Sequence, residues 1–310
     1  MTDNEPMTEI LSAVVCTRNR PAPMAETVRL LLDGSPADME LIVIDQSDDQ
    51  LTEQALQPFH ADPRLRYRRT KTRGKGAALN EALAVARGSI LVCTDDDCLA
   101  PHGWVRDMTV ALQSRPDCVI AYCKVAPVPH DYTKGYVPCY LITGSRTLHS
   151  VGDICGGIGI GAGMSVRRSF VIDVGGFDDS FGPGGRFPSA DEWDLSIRAL
   201  LKGHSVFETG DISIVHDGFR NLHEGRAHVR RDWVALGAVC AKPLRAGYWK
   251  SLRVSVWLFS VRAVWPIVTD MVSLRRPRGF ARITSFLNGF ARGFATPVDP
   301  VTLRFRRRGP

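Results

Sequence analysis

The chain has 310 residues, 44 % of them hydrophobic and 23 % charged, with a formal net charge of +6. That balance belongs to a folded globular protein and excludes a disordered, collagen-like or disulfide-scaffold chain. The charge is unevenly placed: from Lys242 onward 14 Lys or Arg face two Asp, a balance of +12, which leaves −6 for residues 1–241. Such a basic tail is expected to favour anionic partners, whether nucleic acid, acidic substrates or an anionic membrane face. The eight cysteines are scattered with no Cys-x-x-Cys pair, which argues against a zinc site. With an acidic N-terminus in place of a hydrophobic leader, they point to a reducing cytoplasm.

Residues 1–9 are polar and read as a flexible N-terminus. Residues 11–16 are an apolar, β-branched run that predicts a buried strand, broken by Thr17-Arg18-Asn19-Arg20-Pro21. Residues 24–32 follow with helical spacing at Val28, Leu31 and Leu32, and 40–45 form a second strand ending on Asp45. Residues 65–68 read as a short edge strand. Gly74-Lys75-Gly76 opens a helix over 77–86 that Gly88 closes. Residues 90–94 make another buried strand and run straight into Asp95-Asp96-Asp97; a helix over 103–113 and a strand over 118–125 come next.

Strands alternating with helices predict an α/β fold, a mostly parallel sheet with helices on both faces. Ligands bind such sheets outside the carboxyl ends of the strands. Three strand ends here carry Thr17-Arg18-Asn19, Asp45 and the acid run. Three adjacent carboxylates repel one another. A divalent cation relieves that repulsion, and carboxylate oxygens suit Mg²⁺ or Mn²⁺; a cation so held, with open positions, grips a diphosphate. The plainer alternative is a solvated acidic turn.

Residues 126–156 read as a long irregular segment or small hairpin. The small-residue run from Gly156 to Met164 has no Lys-Ser/Thr after it, so close backbone packing is expected ahead of phosphate binding. Residues 165–174 should contain a helix start closed at Gly175-Gly176, and 177–185 a loop or lid. Ser189 and Glu192 match a capping box that opens a helix ending at Gly203. Asp191, Glu192 and Asp194 crowd its first turns, where the positive helix end would lower their pKa values. Strands over 206–208 and 212–215 end at His216-Asp217, and a lone histidine there is more often structural than a ligand.

Residues 222–244 read as a helix with Trp233, Leu236 and Val239 on an apolar side. Residues 248–271 are apolar and aromatic, but Arg253, Arg262, Pro266 and Asp270 interrupt them, so they are not a clean membrane span. They fit an amphipathic helix with Trp249, Trp257 and Trp265 in a membrane interface, or a helix packed on the body or on a second subunit of a homodimer. Arg275-Arg276-Pro277-Arg278 and Arg304-Phe305-Arg306-Arg307-Arg308 would add attraction to anionic lipid, and with it a peripheral location at the inner face of the membrane.

In their order, several motifs are similar to those of glycosyltransferase family 2. They are Val14-Val15-Cys16-Thr17-Arg18-Asn19-Arg20-Pro21, Val43-Ile44-Asp45-Gln46-Ser47 and Gly74-Lys75-Gly76-Ala77-Ala78-Leu79-Asn80, then Ala86-Arg87-Gly88 and Asp95-Asp96-Asp97 with Pro101. Gly161-Ala162-Gly163-Met164, Gly175-Gly176-Phe177-Asp178, Asp191-Glu192-Trp193-Asp194-Leu195 and His216 complete the series. The resemblance covers about residues 10–220. It implies the GT-A fold, a Rossmann-like, mostly parallel sheet flanked by helices, here with a helical C-terminal extension. It also implies an inverting, hexosyltransferase-like enzyme of glycan or bacterial-type cell-envelope biosynthesis. The donor would be a nucleotide-diphosphate sugar, a UDP-sugar favoured, and the acceptor a hydroxyl of a carbohydrate, lipid-linked or small molecule.

Position by position, the resemblance puts Thr17, Arg18 and Asp45 in the nucleoside pocket, with Asp45 reading the base and Lys75 near the nucleotide. Asp95-Asp96-Asp97 matches the DxD motif, Asp95 and Asp96 toward the donor, and Asp95, Asp97 and His216 toward Mn²⁺ or Mg²⁺. Gly161 and Ala162 would lie beside the donor sugar, with Met164 and Trp193 on the acceptor side. Asp191 and Glu192 match the catalytic pair; register favours Glu192 as base, while the capping box leaves Asp191 as the other candidate. The implied division is a catalytic domain over 10–220, with a nucleotide-binding half over 10–125 and an acceptor half over 126–220, then a basic extension over 221–310. The chain departs from the family in Asp45-Gln46-Ser47 and in Asp-Glu for Glu-Asp. A sugar nucleotidyltransferase would share the acidic site but carry glycines after strand one, which Thr17-Arg18-Asn19-Arg20-Pro21 lacks. A non-catalytic membrane or nucleic-acid module is the remaining alternative; no nucleic-acid-binding motif occurs, and no nucleic-acid partner is expected.

Overall fold

Val14 and Val15 show how the sheet is built. Successive side chains of a strand leave opposite faces. Val14 packs with Ile42, Leu79 and Leu91 on one face, Val15 with Val28, Val43 and Val92 on the other. Each fully buried side chain of this kind contributes roughly 1.5–3 kcal/mol. A one-residue slip would exchange the two sets, so the register is fixed by burial on both sides.

The computed structural model describes residues 10–277 and 279–306; the segment 1–9 and Arg278, Arg307 and Arg308, which entered the sequence reading, lie outside the described residues. In chain order the elements are β1 (Leu11–Thr17), α1 (Pro21–Asp33), β2 (Met39–Asp45), α2 (Leu51–Leu56), β3 (Leu65–Arg69), α3 (Lys75–Val85), β4 (Ile90–Asp95), β5 (Cys98–Leu99), α4 (Trp104–Gln113), β6 (Cys118–Pro127), β7 (Gly135–Tyr136) and β8 (Ser145–Leu148). They continue with β9 (Met164–Arg167), α5 (Arg168–Asp173), α6 (Asp191–Leu201), β10 (Ser205–His216), β11 (Arg220–Asn221), α7 (Leu222–Arg245), α8 (Leu252–Trp257), α9 (Trp265–Val272) and α10 (Phe280–Phe294).

The main sheet has the order β3-β2-β1-β4-β9-β6-β10-β5, with β8 also paired to β10. The four strands β3, β2, β1 and β4 are parallel, as are β6 and β10. Between these sets lies β9, antiparallel to both β4 and β6. Sequence reasoning expected a helix start in this stretch; the four residues 164–167 first form a strand, and α5 begins at Arg168. The segment over 126–156 forms the short strands β7 and β8 and a 3₁₀ turn at Val151–Gly156. The small-residue run serves close packing: a Cβ on Gly163 would meet Cys123 Sγ at 2.6 Å.

The C-terminal extension is not a separate body. Asn221 caps α7, its Oδ1 accepting from the backbone N–H groups of His223 and Glu224 at 3.0 Å each. α10 lies against α7 so closely that Gly237, Gly289 and Gly293 have backbone where a side chain would stand. Phe305 returns to the body formed by residues 10–220, with ring centroids 5.5 Å from both Phe181 and Phe187.

Candidate active site

The strand ends deliver the acids as parallel pairing requires. β1 and β4 are in register, Cys16 beside Asp95, so Thr17 and the acid run leave the same sheet edge. Thr17 Oγ1 donates to Asp96 Oδ2 at 2.6 Å. Arg20 bridges two acids, Nη1 donating to Asp96 Oδ1 at 2.5 Å and Nη2 to Asp97 Oδ2 at 2.7 Å. Lys75, the first residue of α3, donates from Nζ to Asp95 Oδ1 at 2.5 Å.

His216 ends β10 with its ring wedged between two acceptors. The Pro138 carbonyl, 2.8 Å away, fixes the proton on Nδ1, and Nε2 lies 3.0 Å from Asp97 Oδ1. Burial works against the charged ring, but the Asp97 carboxylate outweighs it and raises the His216 pKa. Burial likewise works against the Asp97 carboxylate, and His216 and Arg20 outweigh it, holding Asp97 below the usual carboxylate range. Asp96 differs: burial prevails over Arg20 and Thr17 and pushes it up to about 6.

Asp97, His216 and Cys98 bring candidate metal-ligating atoms within 4.8 Å of one another. Burial pushes the Cys98 thiol far up, so it stays protonated and is a poor ligand for a hard cation. Asp97 and His216 do fit Mn²⁺ or Mg²⁺: an oxygen donor, and an Nε2 whose orientation the Pro138 carbonyl secures. The backbone also keeps room there. A Cβ on Gly218 would stand 2.7 Å from His216 Nε2 and 2.8 Å from Asp97 Oδ2.

Two cavities of about 310 and 420 Å³ form one cleft, meeting at Lys75, Asp95, Pro183, Gly184, His216 and Arg220. The first adds Thr17, Arg18, Arg20, Asp96 and Asp97; the second adds Gly161, Asp191, Glu192, His228, Arg231 and Asp232. The acid run and the Asp191 and Glu192 carboxylates thus face one space from two sides. Lys75 sits between them. Burial would lower its pKa, but Asp95, Asp191 and Glu192 raise it well above the ordinary value, so its ammonium is permanent. Gly161 lacks a side chain where Lys75 passes: a Cβ would lie 2.9 Å from Nζ.

Glu192 stands in the first turn of α6. Tyr122 anchors that turn, its hydroxyl donating to the Glu192 carbonyl at 3.3 Å and lying 3.0 Å from Ser196 Oγ. The capping box read from the sequence is absent. The cap position is Ala190, in the left-handed region at φ 65°, with no side-chain cap, because the Ser189 hydroxyl is turned to Asp232 on α7. The expected depression of Glu192 is also reversed. Burial raises its pKa well above the ordinary value, the Asp191 carboxylate adds to this, and Lys75 offsets it only in part.

Several expected residues lie elsewhere. The Asp45 side chain is fully buried, with Oδ1 accepting from Ser47 N at 2.8 Å and Oδ2 from the Tyr67 hydroxyl at 2.7 Å; Gln46 lines the cleft in its place. Met164 is buried in β9 against Cys93 and Tyr122. Trp193 packs, half-buried, on the hydrophobic core. Ala162 is buried, its carbonyl accepting from Thr94 Oγ1 at 2.7 Å. Arg18 reaches the cleft and pairs with Asp48 at 3.1 Å. Sequence reasoning missed Arg20 as a partner of the acids, and Arg220, His228, Arg231 and Asp232 as cleft residues. The last three share one face of α7 at helical spacing, which was the available signal.

A family model described as Glycosyl transferase family 2 matches residues 12–171. Among solved structures, the chain is similar to the mannosyltransferase PcManGT from Pyrobaculum calidifontis in complex with GDP-Man and Mn²⁺, with 19 % identity and a TM-score of 0.61 over 93 % of this chain and 87 % of that one. It is also similar to S. aureus TarS 1-349 in complex with UDP-GlcNAc, with 14 % identity and a TM-score of 0.61 over 92 % of this chain and 81 % of the other. At these identities the likeness is one of fold.

Proposed function

The chain belongs to glycosyltransferase family 2, and we propose that it is an inverting, divalent-metal-dependent hexosyltransferase whose base is Glu192. The observation that carries this reading is the junction of two cavities at Lys75, Asp95 and His216, with the acid run on one side and the Asp191 and Glu192 pair on the other. The first cavity takes the nucleoside diphosphate and the second the acceptor. The solved relatives hold GDP-Man and UDP-GlcNAc, which supports a nucleotide-linked hexose as donor, UDP- and GDP-sugars being the first to test. Family membership argues for a glycosyltransferase over the nucleotidyltransferase alternative.

In the reaction Glu192 accepts the proton of an acceptor hydroxyl as that oxygen bonds to the anomeric carbon. The bond from that carbon to the diphosphate oxygen breaks on the opposite face, so the configuration inverts and the electron pair leaves with the nucleoside diphosphate. A raised pKa makes Glu192 a stronger base than a solvated carboxylate, and such a group supplies a factor of about 10² to 10⁴. Lys75 holds its permanent positive charge between the two cavities, where the diphosphate charge grows. A divalent cation bound by Asp97 and His216 would supply further neutralisation of the leaving group.

Glu192→Gln should keep donor binding, read as thermal protection by a UDP- or GDP-hexose with Mn²⁺, and lose about 10² to 10⁴ in turnover. Normal turnover by this variant would overturn the assignment. Protection by the donor that is equal with and without Mn²⁺ would overturn the metal dependence.

A further inference from the structure

Beyond the reaction, we propose that the outer face of the helix spanning Trp249–Val272 is a seat for an anionic lipid bilayer, on which the enzyme lies as a peripheral protein. The segment is 24 residues long, and its most apolar window has a mean hydropathy of 1.3 with only 28 % buried in the fold. Its inner seam, Val254, Leu258, Ala263 and Ile267, is buried. The outer ridge, Leu252, Val256, Val261, Trp265 and Val268, is exposed. Both faces contain one five-residue step, 258 to 263 and 256 to 261. Leu258–Val264 is a π-helical stretch, so the extra residue keeps both faces in phase ahead of Pro266.

A helix that only covers a core turns polar residues to solvent. This one turns out aliphatic side chains and two tryptophans, Trp249 and Trp265, which are 65 % and 60 % exposed; Leu274, just beyond it, is 96 % exposed. Lys250, Arg253, Arg262, Arg275 and Arg276 surround the ridge and are exposed. Over described residues 246–306, nine Lys or Arg stand against two Asp. That charge selects the occupant. A second copy docked through a two-fold axis would set these arginines against their own images, whereas an anionic bilayer complements them. The inner seam stays packed on the body and Arg253 and Arg262 lie within the segment, so the helix lies on the bilayer and does not cross it. Anionic lipid is characteristic of the cytoplasmic leaflet, which fits the peripheral location expected from the basic tail.

The test is co-flotation of the full chain with phosphatidylglycerol-containing vesicles and with pure phosphatidylcholine vesicles, at low and high salt. Binding to the anionic vesicles should be on the order of a hundredfold tighter and should fall as salt is raised. Trp265→Glu, an exposed position, should keep thermal stability and donor protection while losing flotation. Full-chain flotation is decisive by itself if that variant does not fold. Failure to float with anionic vesicles overturns the proposal. So does concentration-dependent dimerisation that Trp265→Glu abolishes while vesicle binding is unchanged, which would assign the face to a second copy.

Discussion

Glu192 is the residue whose environment matters most. Burial comes first in raising its pKa and the neighbouring Asp191 carboxylate second, so ionising Glu192 sets a negative charge beside an existing one. With Glu192 as the proposed base, which must be ionised to act, turnover should rise with pH as it loses its proton, with a midpoint above the ordinary carboxylate range. Asp191→Asn removes the negative charge that resists this ionisation. The acid limb of a kcat/KM profile should therefore move to lower pH in that variant, and a move to higher pH would reject the coupling. Gly218 stands against both candidate metal ligands. A methyl there would press on His216 Nε2 and Asp97 Oδ2, so Gly218→Ala should weaken Mn²⁺-dependent donor protection about tenfold or more while leaving metal-free stability near that of the parent. The acid run was legible as charge gathered at a strand end, and Lys75, His216 and the Asp191 and Glu192 pair were legible through the family resemblance; the fold brings them to one cleft. Asp45 was not: nothing in the sequence announces that Ser47 and Tyr67 occupy both of its oxygens. Arg20 was hidden by its place in a turn, where an arginine draws no attention until the fold brings it to Asp96 and Asp97.

At the scale of elements, α6 is held by an ion cluster that reaches across three segments. Lys242 of α7 pairs with Asp178 at 2.7 Å and with Asp194, and Asp194 pairs with Arg198 at 2.9 Å. Arg198 in turn donates to the carbonyls of Val174 and Gly176 at 3.0 and 2.9 Å. All four charged side chains are buried. Lys242→Met would leave Asp178 buried without its cation and Asp194 with Arg198 alone, a change expected to cost about 3–5 kcal/mol in urea unfolding. A loss below about 1 kcal/mol would mean that water replaces the lysine. The pH dependence has a defined sign. Burial raises Asp178, yet Lys242 outweighs it and holds the folded value at about 2, below the unfolded value of about 4. Its stabilisation is therefore complete above about pH 4 and is lost as the pH falls toward 2. The helix over 222–245 was readable from periodicity, but its ion partners were not, because a lysine in a basic tail looks solvated until Asp178 and Asp194 fold against it. β9 was unreadable for another reason: four residues are too few for a period to emerge.

For the whole molecule, the parallel half was plain from alternating strands and helices, whereas the join between residues 10–220 and the extension was not. Composition placed the change of charge at Lys242, and the family resemblance drew a boundary near residue 220. The fold crosses it, since His228, Arg231 and Asp232 line the cleft and Phe305 packs under the loop that carries Pro183 and Gly184. Phe305 is held doubly: its backbone N–H donates to Asp178 Oδ2 at 2.8 Å, and its ring faces Lys242 Nζ at 5.1 Å. The C-terminal segment thus ties the loop over 178–187 to the same cluster that holds α6, and both bear on the side of the cleft that carries Asp191 and Glu192. A chain ending at Thr296 keeps every strand of the main sheet, all the acids of the donor side and α10, but loses this tie. Removing a buried phenylalanine typically costs about 3–5 kcal/mol, so its melting temperature should drop by roughly 5–10 °C. Below that temperature the donor should still protect it in the presence of Mn²⁺, because β1, β4 and β10 are intact. Transfer to the acceptor should fall by more than donor affinity does, since the loop loses the Phe305 ring that packs against Phe181 and Phe187. Equal transfer by the shortened and full chains would show that the loop holds its position without Phe305, and parallel loss of both properties would show that the segment supports the fold as a whole and not the acceptor side.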